Sequence, residues 1–318
     1  MSTVLVTDFP WPDTAIERKV IGAAGHTLVE GRPKPGSSDE TAALVAEHDP
    51  QSILVAYAPI TPEVLAAAPH LRHVAKTGIG IDNIALDAAT QRRVLVTNVP
   101  DYCIEEVSDH ALALTFAFTR QIAHFDREVK NGTWGIAAGK LRRTNELTIG
   151  VLGFGRIGRA TVRKALALGA EVLVYDVMPV RDAGSATVAP LDDVLRRSDV
   201  VILHMPLDSS THHVVNHDFV ARLKRGAILV NVSRGPLIDN DAILLGLESG
   251  QLGGVGLDVI EGEPNPPRAL VERDDAIVTP HVAYASDIAI VELRRRACEE
   301  VVRVLAGEKP RNPCNSIT

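Results

Sequence analysis

Apolar residues in this chain fall in short unbroken runs with little polar alternation. Runs over 3–7, 26–29, 52–56, 73–76 and 94–97 predict strands, and helices over 13–24, 39–48 and 61–68 fit between them. Asp13 and Thr61 are candidate N-caps, and Pro62 sits at the first helical position. Strands without alternation are expected where a parallel sheet is covered on both faces. A single long helix is predicted from about 104 to about 132. Strands resume at 147–152, 171–175, 199–204, 227–232, 255–259 and 276–279, with helices between them, among them 239–248. A last helix spans about 287–305 and an irregular tail follows. The pattern predicts an α/β chain built on parallel sheets with helices on both faces.

The stretch LTIGVLGFGRIGRATVRKALALGAEVLVYD, residues 147–176, carries the first candidate chemistry. It reads as strand, glycine turn, helix, strand and acid. Gly153 permits a tight turn, Gly155 a close approach of backbone to a pyrophosphate, and Gly158 close packing of helix on strand. The N–H groups at the new helix start, around Arg156 and Ile157, then face the phosphates. Asp176 is placed to accept hydrogen bonds from an adenosine ribose. A carboxylate there repels a 2′-phosphate, and the first arginine after it is Arg181, so NAD is favoured over NADP.

A length of 318 residues suggests about two domains, and 46% apolar residues suffice for sizeable cores. A net charge of −7 without basic runs gives no support to nucleic-acid binding. No apolar run is long enough to span a membrane, and no signal peptide is visible, so a cytoplasmic protein is expected. Cys103, Cys298 and Cys314 are odd in number and widely spaced, which suits free thiols in a reducing compartment.

Ligands of open parallel sheets bind beyond the carboxyl ends of the strands. Those ends in the second half carry Ser233, Arg234 and Gly235, then Glu261 and Glu263, then Pro280 and His281. Reduction of a carbonyl by NADH needs a proton donor that works near neutrality, a carboxylate to orient it, and a fixed cation for a substrate carboxylate and developing oxyanion. His, Glu and Arg meet those needs, with Glu261 and Glu263 both available as the carboxylate. His212, His213 and His217 raise the question of a metal, but their spacing at an exposed helix start reads as solvated histidines, and no metal is expected.

TGIGIDNI at 77–84, NVPDYCIEEVSDHAL at 98–112, GFGRIGR at 153–159, HMPLDSST at 204–211, NVSRGPLID at 231–239, GLDVIEGEP at 256–264 and TPHVAY at 279–284 follow one another in order. Together they resemble the NAD-dependent D-isomer-specific 2-hydroxyacid dehydrogenase family. The resemblance implies an oxidoreductase acting on the CH–OH group of a small D-2-hydroxy acid, with His281 as acid/base, Glu263 as its partner and Arg234 binding and polarising the substrate. It implies cofactor contacts from Gly153, Gly155, Arg156, Ile157, Gly158, Asp176, His204, Pro206, Thr211, Val232, Ser233, Arg234, Asp258 and His281. His204 packs beside the cofactor in this reading and does not titrate in catalysis. Substrate contacts are expected from Lys76, Thr77, Gly78, Ile79, Gly80, Arg234, His281 and Tyr284. The turn at Gly78–Gly80 would hold the substrate carboxylate, and Lys76 stands where relatives often carry Arg. The family fold implies two Rossmann-like, doubly wound parallel-sheet domains, a discontinuous flavodoxin-like substrate domain, 1–99 with 287–318, and a NAD-binding domain at 100–286, and it implies a homodimer built on the long helix. No regulatory domain is expected after residue 318, and on that expectation a short-form phosphoglycerate dehydrogenase stays open while a long form does not. NVPDYCIEEVSDHA and the aromatic Tyr284 are similar to the C-terminal-binding-protein branch, so a NAD-sensing binding module with little turnover is the alternative reading.

Overall fold

A computed structural model describes residues 1–136 and 141–317, and these divide into two compact units. One unit comprises Met1–Tyr102 and Ser286–Thr318, the other Cys103–Ala285. Residue 318, the last of the tail expected to be irregular, lies outside the described residues.

The first unit runs β1 (Thr3–Asp8), α1 (Ala15–Ala23), β2 (Thr27–Arg32), α2 (Ser38–His48), β3 (Ser52–Val55), α3 (Pro62–Ala66), β4 (His73–Lys76), α4 (Leu86–Gln91) and β5 (Leu95–Thr97). Its parallel sheet has the order β2-β1-β3-β4-β5. The second strand runs three residues further than the apolar pattern, because Glu30 and Arg32 continue the ladder beside Val6 and Asp8. Leu5, Ile53, Val55, Val74 and Val96 join Val45, Val64 and Leu65 in one core. The C-terminal helix, Asp287–Leu305, buries Leu293, Ala297, Cys298 and Val301 in this unit. Its Arg294 is 6% exposed and forks onto Glu17 of α1, itself 1% exposed, at 2.8 and 2.6 Å. The tail closes on β5, where Asn315 accepts from Val96 N and donates to Val94 O.

The second unit runs α5 (Ile104–Thr119), α6 (Ile122–Lys130), β6 (Thr148–Leu152), α7 (Arg156–Ala167), β7 (Glu171–Tyr175), β8 (Thr187–Val188), α8 (Leu191–Arg197), β9 (Val200–Leu203), α9 (His217–Arg222), β10 (Ala227–Asn231), α10 (Asn240–Glu248), β11 (Leu252–Leu257), α11 (Arg268–Val271) and β12 (Ala276–Val278). Its parallel sheet has the order β12-β11-β10-β9-β6-β7-β8. The chain goes outward from β6 to β8, returns to β9 beside β6, and continues the other way. Topology therefore switches between β6 and β9, where a doubly wound sheet opens its ligand crevice.

The single long helix expected over 104–132 is two helices. Gln121 adopts a left-handed conformation, φ 52°, which breaks the helical ladder. Arg142 accounts for the break: its N–H donates to Thr119 O and its carbonyl accepts from Arg120 Nη1, so the end of α5 is held by a segment 22 residues on.

Candidate active site

Two glycines at the switch point are forced by contact. A Cβ on Gly153, φ 100°, would lie 2.6 Å from the His204 carbonyl carbon, and one on Gly158 would lie 2.1 Å from Gly153 O. The first lets β6 turn beside the end of β9; the second lets α7 start against that turn. Gly155 differs, because a Cβ there would meet nothing within 4 Å. It caps α7, and the space beside it is where a bound group can approach the helix start, with Arg156 exposed at the first position and Ile157 partly buried at the second. Asp176 follows β7, and its carboxylate accepts from Phe154 N at 2.6 Å and from Met178 N at 2.8 Å. The glycine turn and the acid are thus tied together, and the residues fit a dinucleotide.

His204 lies under the same turn, with Nε2 2.9 Å from the Thr161 hydroxyl. Loss of solvent pushes its imidazole down to about 3. With that shift the ring is neutral near pH 7. Thr211 donates to Pro206 O at 2.8 Å and accepts from Asp208 N at 2.8 Å, which folds the loop after β9 on itself.

Beyond β10, Val232 is buried and Ser233 donates to Leu203 O at 2.8 Å. Asn231 accepts from Ser233 N and donates to Arg234 O, so the turn carrying Arg234 is held from both sides. Gly235 has no room for a Cβ, which would sit 2.2 Å from the Ile260 carbonyl carbon. The loops after β10 and β11 therefore lie in direct contact.

His281, φ 54°, places Nδ1 2.9 Å from Glu263 Oε1. Glu261 takes another partner, His213, at 2.9 Å. Of the two acids open in the sequence, Glu263 is the one bonded to His281. Asp258, 1% exposed, holds the backbone of the histidine's loop. Its carboxylate accepts from Thr279 Oγ1, Val282 N and Ala283 N at 2.6, 2.9 and 2.8 Å, while its carbonyl accepts from His281 N at 2.8 Å. The Tyr284 ring meets the imidazole edge-on, with centroids 6.3 Å apart. His110 was not singled out in the sequence: from α5, its Nε2 reaches Thr279 Oγ1 at 3.0 Å and lies 3.6 Å from Asp258. Its position within the 98–112 motif was the only available signal.

In the first unit, the turn after β4 carries the remaining candidates. Thr77 N and Oγ1 both donate to Val55 O at 2.9 Å. The carbonyls of Gly78 and Ile79 accept from Val99 N and Asn98 Nδ2. The N–H groups of Gly78, Ile79 and Gly80 donate to no acceptor among the described residues. Lys76 is 8% exposed, and its ammonium donates to Ala56 O and to Asn83 Oδ1.

Residues 112–283 match the model of the D-isomer specific 2-hydroxyacid dehydrogenase NAD-binding domain. The chain is 37% identical over 265 residues to a glyoxylate reductase of Korarchaeum cryptofilum, covering 81% of this chain and 80% of that one. It is also 37% identical over 313 residues to a D-3-phosphoglycerate dehydrogenase of Mycobacterium bovis, covering 97% of this chain but 58% of the longer relative. A D-lactate dehydrogenase of Aquifex aeolicus, solved with NAD and lactic acid, superposes with a TM-score of 0.87 at 28% identity, covering 96% of each chain. The matched domain binds NAD, and no helix among the described residues is long and apolar enough to cross a membrane. The chain belongs to the NAD-dependent D-isomer-specific 2-hydroxyacid dehydrogenase family.

Proposed function

We propose that this protein interconverts a short D-2-hydroxy acid and its 2-keto acid, with His281 moving the proton, Glu263 orienting His281, and Arg234 binding and polarising the substrate. The observation that carries this reading is the 2.9 Å bond between His281 Nδ1 and Glu263 Oε1. Bound NAD supplies the hydride acceptor for oxidation, and NADH the donor for reduction. The chain's own residues handle proton and charge. With Nδ1 committed to the carboxylate, Nε2 gives the proton to the carbonyl oxygen in reduction and takes it back in oxidation. The Arg234 fork pairs with the substrate carboxylate and steadies the oxyanion as it forms. Substrate contacts are also proposed for Lys76, Thr77, Gly78, Ile79 and Gly80 of the first unit and for Tyr284 of the second. Asp176 favours NAD over NADP, and Gly153, Gly155 and Gly158, with Arg156, Ile157, His204, Pro206, Thr211, Val232, Ser233 and Asp258, form its binding surface. We further propose a cytoplasmic homodimer.

Glyoxylate, pyruvate, hydroxypyruvate, phosphohydroxypyruvate, and branched and aromatic 2-keto acids, each followed by NADH absorbance, test the reading. Steady turnover is expected with at least one short acid. NADH binding without turnover across the panel would instead support the NAD-sensing module. Arg234→Ala should lower kcat/KM for the best substrate by roughly 10²–10³, as expected when an oxyanion contact is lost. An unchanged kcat/KM would remove Arg234 from the site.

A further inference from the structure

His212, His213 and Glu261 converge outside the residues assigned to the reaction. His213 Nε2 is 2.9 Å from Glu261 Oε2, and His212 Nε2 is 3.9 Å from Oε1 of the same carboxylate. The two rings stack, with centroids 4.0 Å apart and planes at 27°. One ligand atom from each of the three residues lies within 4.8 Å of the others. Consecutive side chains of an extended segment would point to opposite sides. Here they share one side, because His213 takes a left-handed backbone, φ 51°. That backbone is fixed: His212 N donates to Asp208 O at 3.0 Å and His213 N to Pro236 O at 2.9 Å. Across from them, Asn240 Nδ2 donates to Glu261 O at 3.2 Å, and Gly235 packs on the Ile260–Glu261 peptide.

We propose that this cluster binds one divalent transition-metal ion of the zinc class, through the two imidazoles and the carboxylate, with water completing the shell. Two nitrogens and one carboxylate oxygen form a borderline donor set that suits zinc, whereas magnesium and calcium prefer oxygen alone. Bonds of about 2.0–2.1 Å in a tetrahedron place donors about 3.4 Å apart. The separations, 2.9 Å from His213 to Oε2 and 3.9 Å from His212 to Oε1, lie on either side of that distance, and a turn of the carboxylate brings one oxygen to both rings. The side chains are 53%, 36% and 35% exposed, so small ring rotations can complete the geometry and the ion can enter from solvent. His217, which the sequence grouped with the other two, starts α9 and is not part of the cluster. The sequence contained no pointer to the third ligand, which lies 48 residues from His213. A bound ion would tie the loop after β9 to the loop after β11, two residues before Glu263. The proposal does not depend on the catalytic roles assigned above.

The test is Zn²⁺ titration of the full chain, stripped with chelator, against a chromophoric competitor near neutral pH. The expected result is one tight Zn²⁺ per chain, with affinity at least tenfold weaker in His212→Gln, His213→Gly and Glu261→Gln. His213→Gly suits the left-handed backbone and His212→Gln is at an exposed position, so both should fold, which circular dichroism would verify. His217→Ala should bind as the parent does. Co²⁺ in place of Zn²⁺ should give visible d–d bands that vanish in His213→Gly. Absence of stoichiometric Zn²⁺ binding, undiminished binding in the three folded ligand variants, or equal competition by Mg²⁺ would each overturn the proposal.

Discussion

Glu261 and Glu263 stand two residues apart on one loop, yet their carboxylates engage different histidines. The left-handed Gly262 between them, φ 94°, turns the chain so that the two acids part. The pairing of Glu263 with His281 makes a prediction about orientation. The carboxylate 2.9 Å from Nδ1 holds the imidazole in place. Glu263→Gln should lower kcat/KM for keto-acid reduction by about tenfold or more, as expected when general acid catalysis is impaired, and the loss should lie in kcat more than in KM. Unchanged kcat and KM would exclude Glu263 as the partner. At this scale the sequence offers candidates where a residue type has few uses after a strand, as with Arg234 and His281. It was silent where the contact is long-range. His110 meets Thr279 across 169 positions, and nothing in the local pattern around either residue announces the other.

The glycine turn and the helix after it were legible as an element because the spacing sets Gly153 and Gly158 where backbones meet and Gly155 where space is left at the helix start. The structure separates those demands, and so predicts different phenotypes. Gly158→Ala drives a methyl into Gly153 O, a rigid backbone atom at 2.1 Å, so α7 must move off β6. It should cost about 1–3 kcal/mol or more, the range for overpacking, and lower Tm. Gly155→Ala meets open space, so Tm should hold while NADH binding weakens in a fluorescence titration. Equal Tm losses would show that Gly155 is structural, and equal NADH affinities that the space beside it is not the cofactor's. The break between α5 and α6 was not legible, because Arg120 and Gln121 carry no Gly or Pro signal and the left-handed Gln121 is sustained by Arg142. β8 was not legible for another reason: two residues are too short to make a pattern.

Each unit depends on a few buried polar groups. In the first, Arg294 joins the C-terminal helix to α1, uniting the two ends of the chain through Glu17. Arg294→Ala leaves a carboxylate that is 1% exposed without its partner, and should destabilise this unit by roughly 3–5 kcal/mol in urea unfolding. Trp11 lies under the same guanidinium, 5.1 Å from its ring centroid, so its fluorescence can follow the event. A loss below about 1 kcal/mol would mean that Glu17 finds water instead. The fully buried His73 bears on pH. Its ring nitrogens meet Ser52 Oγ at 3.0 Å and Thr97 Oγ1 at 2.9 Å, and burial pushes it down to about 3. The unfolded chain restores it to about 6.5. Its folded value is the lower one, so unfolding takes up a proton once pH drops below about 6.5. The associated stability is present above that value and is lost as pH falls toward 3, at up to about 1.4 kcal/mol per pH unit. His204 acts with the same sign in the second unit. Asp49 and Glu105, held below their usual range by bonds from His70 and Lys164, lose their contributions only in the carboxylate range. The window from pH 6.5 to 4.5 therefore isolates the histidines. His73→Gln should lower stability at pH 7, since an amide fits the two hydroxyls less well than the ring. Across the window, unfolding followed by Trp11 should show a flatter pH dependence than wild type, by nearly one proton. His26, also lowered by burial, is present in both proteins and cancels in that comparison. If both proteins lose stability with the same slope, His73 is not the neutral, proton-excluding group its surroundings make it.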